Sequence, residues 1–177
     1  MNIKASANIL IKNNVFFNFR PIGVAVLGSK NITIDDNIVG GIVKRETLEA
    51  TDQLIDKEGA FSICAYFEPD TACKDIYMRN NIAAGSVYGG FMTMGHKCDD
   101  YTSRFEGNVA HSVKGSIDSG LGLFFKNAPS ESECVEFSNF KAYKCFEQGV
   151  FSYASSKRIQ MSKMTLVDNK EGSGAII

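Results

Sequence analysis

The chain is 177 residues long, 44% hydrophobic, and carries 19 basic against 20 acidic residues, a formal net charge of −1. That length suits one domain spanning residues 1–177, with enough apolar residues for a continuous core. Near-zero charge without a Lys/Arg-rich run argues against a nucleic-acid partner, and runs such as Ile9–Ile11 and Val24–Leu27 are too short to insert into a membrane.

In chain order the same short plan recurs. Ile9 and Ile11 alternate with outward residues, as a half-buried strand requires. Asn14 follows three residues after Ile11, then Val15, then Gly23-Val24. With Ile11 as anchor, its equivalents are Ile34, Met78, Phe105, Phe137 and Met161, at separations of 23, 44, 27, 32 and 24 residues. Two positions before the anchors stand Ile9, Ile32, Ile76, Ser103, Val135 and Ile159. Three positions after the first four stand Asn14, Asn37, Asn81 and Asn108; Phe140 and Met164 take that place in the last two turns. A Gly opens the next strand each time: Gly23, Gly59, Gly90, Gly122, Gly149 and Gly174, at offsets of 12, 25, 12, 17, 12 and 13.

Self-similarity in the twenties with three short strands per period predicts a solenoid. The fold is read as all-β, a right-handed parallel β-helix of about six coils. Asn14, Asn37, Asn81 and Asn108 are predicted to form one column at a corner, where Asn tolerates a left-handed backbone and its amides bond between coils. The surplus in the second turn is Arg45–Lys57, with Leu48, Leu54 and Ile55 on one side and no Gly or Pro; a short helical insertion is predicted near residues 45–57.

Outward residues after the anchors read Lys12, Asp35, Arg79, Glu106, Ser138, Ser162. Those before read Leu10, Thr33, Tyr77, Arg104, Glu136, Gln160. The alternating signs of the first column predict cross-coil ion pairs, each weak. A sugar lyase on this fold would need clustered carboxylates holding Ca²⁺ beside a base, and a hydrolase two or three close carboxylates. Neither column has them, so no catalytic residue and no cofactor is assigned. In the Gly-led strands the two residues after Gly are both apolar, as in Phe91-Met92 and Leu123-Phe124. One of each pair must face outward, so an apolar outer stripe is expected to meet a protein partner, with loops around Asn127 to Cys134 as the alternative cover.

The order Asn81-Ile-Ala-Ala-Gly-Ser, Gly90-Phe, Cys98, Gly107-Asn-Val-Ala-His-Ser, Cys134, Phe140-Lys-Ala-Tyr-Lys-Cys145, Gly149-Val-Phe and Met164-Thr-Leu-Val-Asp-Asn169 resembles the β-helical region of fibrocystin and fibrocystin-like proteins. The resemblance runs from about Lys74 to Gly174. It implies a structural or adhesive segment of a large extracellular or ciliary surface protein, acting through protein–protein or glycan contacts, with no defined catalytic activity. Polysaccharide-processing relatives on this fold keep a lyase or hydrolase as the alternative, beside a non-catalytic carbohydrate-binding module. The first half matches less well.

The resemblance also implies an oxidising compartment. Cys73 and Cys98 lie 25 residues apart, close to one turn, which makes them the candidate disulfide, against buried free thiols. An odd count of five Cys leaves at least one unpaired. His96, Cys98, Asp99 and Asp100 are the weak candidates for a metal, on a spacing that fits no known site. His111 matches a His of the family pattern; a corner hydrogen bond is its plain role. Asn31-Ile-Thr33 is the only N-glycosylation sequon. No signal peptide is visible. The chain enters a coil within ten residues and stops inside a strand at Ala175-Ile176-Ile177. We therefore expect a piece of a longer chain, or neighbouring coils of the same or another chain covering both ends.

Overall fold

The computed structural model describes residues 1–19, 22–42, 59–64, 74–93, 96–98, 104–115, 120–125, 134–152, 158–170 and 175–176. The predicted insertion at 45–57 lies outside them.

Every coil passes through three parallel sheets. Sheet 1 stacks Asn2–Lys4, Val24–Leu27, Gly59–Ile63, Gly89–Thr93, Leu121–Phe125, Val150–Ser152 and Ala175–Ile176. Sheet 2 stacks Ala7–Lys12, Lys30–Asp35, Lys74–Arg79, Arg104–Glu106, Val135–Ser138 and Ile159–Ser162. Sheet 3 stacks the three-residue strands Val15–Phe17, Ile38–Gly40, Ile82–Ala84, Val109–His111, Lys141–Tyr143 and Thr165–Val167. Six passes through the sheets are complete, and Ala175–Ile176 begins a seventh; this is a parallel β-helix.

The anchor register holds: Ile11, Ile34, Met78 and Phe105 pair in succession, as do Phe137 and Met161. The Gly register holds except in the third coil. Val24 pairs with Phe61, so Ala60, not Gly59, stands in the column of Gly23, Gly90, Gly122 and Gly149. Gly59 pairs with Gly89 one step earlier. A Gly-Ala pair slid by one is indistinguishable by composition, and only ladder pairing resolves it. The need for glycine is steric at Gly90, where a Cβ would stand 2.6 Å from the Gly122 carbonyl oxygen and 2.7 Å from Ala110 Cβ.

The core balances volume between sheets. On sheet 3 the inward residue is Ala83, Ala110 or Ala142 in coils three to five, all fully buried. Opposite them, on sheets 1 and 2, sit Phe61, Phe91, Phe105 and Phe137. Phe61 and Phe91 stack with centroids 4.9 Å apart and planes within 2°, and Phe105 meets Phe91 edge-on at 5.5 Å. Large residues on two walls thus fill the space that alanine leaves on the third.

Each corner pairs a left-handed residue with an inward one. After sheet 2 the left-handed residues are Asn13, Asp36, Asn80, Gly107, Asn139 and Lys163. The column asparagines follow them and are not themselves left-handed, which corrects the sequence reading. Their work is done by the side chain. Asn37, Asn81 and Asn108 are fully buried. Asn81 Nδ2 donates to Asn108 Oδ1 at 3.0 Å and to the Ile34 carbonyl at 2.9 Å, while its Oδ1 accepts from the Asn37 backbone N–H at 3.1 Å and from Asn37 Nδ2 at 3.0 Å. Asn14 joins through Asn37 Oδ1 at 3.0 Å. The same local form returns after sheet 3, where Asp168 is left-handed and buried Asn169 accepts from the Cys145 N–H at 3.0 Å.

Candidate interaction faces

A rigid coil can act only through what it presents outward, so the three outer faces and the loops are the candidate sites. On sheet 2, Lys12, Asp35 and Arg79 are aligned by the ladder. Asp35 Oδ2 receives Lys12 Nζ at 3.0 Å and Arg79 at 3.1 Å. Burial pushes its carboxyl up, but the two cations outweigh this and hold it below the usual carboxylate range. The alternating charges therefore pair. Glu106 lies 3.7 Å from Arg104 on its own strand. Among the described residues no three His, Cys, Asp or Glu are grouped as a metal site would need. His96 pairs with Glu136 in an antiparallel ladder; Asp99 and Asp100 lie outside the described residues.

The candidate Cys73–Cys98 bridge is replaced by another. Cys98 is bonded to Cys134, with Cα atoms 5.3 Å apart and a sequence separation of 36. Equal distance along the chain was the wrong guide, because His96–Lys97 folds back antiparallel against Val135–Glu136 and carries Cys98 to the start of the fifth sheet 2 strand. The Cys98 N–H bonds the Cys134 carbonyl at 3.1 Å. Cys64 is also disulfide-bonded. Cys145 is free and buried, and burial pushes its thiol up to about 11.

The outer stripe of sheet 1 is Ala25, Ser62, Met92, Phe124 and Phe151. The first three are already buried in the isolated chain, at 5%, 0% and 5% exposure. Phe124 and Phe151 stack at 5.8 Å and are half-buried. The expected partner face is therefore largely covered by the chain itself.

The exposed apolar face lies instead on sheet 3. Each column Asn points inward, so the residue after it must point out: Val15, Ile38, Ile82 and Val109 form one ladder, which the polar Lys141 and Thr165 continue in the last two coils. Phe17, Gly40, Ala84, His111, Tyr143 and Val167 form the second. Phe17 and Val15 are 73% and 72% exposed, and Ile38, Tyr143 and Val167 are exposed as well. His111 stacks on Tyr143, centroids 5.0 Å apart and planes within 5°, and its Nδ1 lies 3.3 Å from Ser112 Oγ. Alternation counted outward from each column Asn was the signal for this face, and the sequence reading did not use it.

The three stacked sheets and the internal asparagine ladder define the class: a parallel β-helix solenoid. No family model and no solved structure matches the chain. Over 160 residues it is 31% identical to fibrocystin of the dog, Canis lupus familiaris, covering 85% of this chain and 4% of that relative. The chain is a fibrocystin-like β-helix region. No described helix is long and apolar enough to cross a membrane.

Proposed function

We propose that this region is an adhesive spacer of a large extracellular or ciliary surface protein, and that the outer face of sheet 3 packs against another folded part of the same protein. The exposed Val15, Phe17, Ile38, Tyr143 and Val167, spread over the two outward ladders of sheet 3, carry this reading, because water contact with large apolar side chains gathered on one face is unfavourable. The likeness covers 4% of the relative, so a protein of that kind holds much further chain to supply the cover. Area favours packing within one polypeptide. Six strands about 4.8 Å apart and three residues long make a ribbon of roughly 300 Å², well short of the ~800 Å² per partner of a stable complex between separate proteins. Tethering raises the effective concentration and lets so small a face hold.

The test places a photo-crosslinking amino acid at Phe17 or Tyr143 in the whole protein. Cross-links to another segment of the same polypeptide are expected. Cross-links only to other proteins, or cleavage of a uronic-acid polysaccharide by the purified protein, would overturn the reading.

A further inference from the structure

We propose that Asn31 carries an N-linked oligosaccharide that lies along the outer face of sheet 2. Three observations meet there. Asn31-Ile32-Thr33 is the only Asn-X-Ser/Thr sequence in the chain. Asn31 is exposed, and it is left-handed, with φ 54. The ladder skips it: Ala7 pairs with Lys30 and Ile9 with Ile32, while Asn8 and Asn31, both left-handed, stand opposite each other outside the pairing. Leu10, 67% exposed, pairs with Thr33 on the neighbouring coil, and it gives the first sugar an apolar surface to rest on.

The chemistry fits the local hydrogen bonding. Asn31 Nδ2 donates to Asn8 Oδ1 at 2.6 Å. A primary amide has two hydrogens. In the transfer, Nδ2 attacks the anomeric carbon of a lipid-pyrophosphate-linked oligosaccharide. The carbon–oxygen bond to pyrophosphate breaks, one amide proton is lost, and the lipid pyrophosphate leaves. The remaining N–H still donates to Asn8, so the folded coil keeps its contact. The Cys98–Cys134 bridge and the disulfide at Cys64 are bonds of the kind an oxidising compartment favours, and that donor is found in such a compartment.

The inference rests on the surface reading above, and the test separates the two. The protein is purified from the cells that make it and digested under non-reducing conditions. The peptide bearing Asn31 is weighed before and after an N-glycanase in heavy-oxygen water. The expected result is conversion of Asn31 to a heavy-oxygen-labelled Asp, lost in Asn31→Gln and Thr33→Ala and kept in Thr33→Ser. Thr33→Ala leaves the Asn8–Asn31 amides intact and guards against misfolding of the Asn31 variant. An unmodified Asn31 in protein whose Cys98–Cys134 bond is formed overturns the inference alone. An unmodified Asn31 with both cysteines reduced overturns it together with the surface placement.

Discussion

Replacing Asn81 by Ala cuts the asparagine ladder at its centre. Four hydrogen bonds go, two donated by Nδ2 and two accepted by Oδ1. Asn37 Nδ2 keeps the Ile11 and Asp35 carbonyls at 2.8 and 3.1 Å, but the Asn37 backbone N–H loses its partner at a fully buried site. The Ile34 carbonyl loses the Asn81 amide as well. The orphaned Asn37 N–H costs ~1–3 kcal/mol, and the Ile34 carbonyl, which keeps its bond within the sheet 2 ladder, adds about 1 kcal/mol for its lost second bond, so the change costs about 3 kcal/mol. The same change at Asn14 is the control. Asn14 is exposed, its ladder bond goes to Asn37 Oδ1, and water replaces what is lost. Its cost should be about 1 kcal/mol. The difference of about 2 kcal/mol is roughly thirtyfold in the opening equilibrium. Urea unfolding by circular dichroism gives the global effect. Hydrogen exchange at the Asn37 amide gives the local one, which matters because solenoids lose stability coil by coil. If Asn81→Ala and Asn14→Ala agree within about 0.5 kcal/mol, or the Asn37 amide stays protected in Asn81→Ala, the ladder is not what holds this corner.

Three further outcomes are expected. The fold holds the Cys145 thiol protonated, with its value raised from 9.0 to about 11, so its contribution is full below pH 9 and fades as pH rises through 11; Cys145→Ala should flatten that alkaline limb in a pH series of unfolding curves, and an unchanged limb refutes the assignment. Asp35 is held below its ordinary 3.8, so its contribution is full above that value and lost as pH falls further. Asp35→Asn should flatten the acid limb and cost about 1–2 kcal/mol at neutral pH, since Lys12 and Arg79 are half-exposed and water takes them up. Reducing the Cys98–Cys134 bond should lower stability by up to about 4 kcal/mol, the loop-closure value for its 36-residue separation; a urea midpoint unmoved by reductant would show that the antiparallel His96–Lys97 segment holds without it.

Much of the coil was legible because solenoid contacts are periodic. The Ile9–Ile11 alternation, repeated at each anchor, determined which residues face the core, and the Asn14, Asn37, Asn81 and Asn108 spacing determined the corner. Both are local patterns that each coil must satisfy by itself. What the pattern left open was anything that depends on sliding or folding back. Ala60 and Gly59 exchange places only when the ladder pairs Phe61 with Val24. Cys98 meets Cys134 because one short segment runs antiparallel, which no period announces. Sequence also marks apolar residues on two outer faces without saying which is covered. Ser62 and Met92 are buried while Phe17 and Val15 stand in water. Burial of an outward side chain is decided by what crosses over it from elsewhere in the chain, and that is a property of the tertiary structure alone.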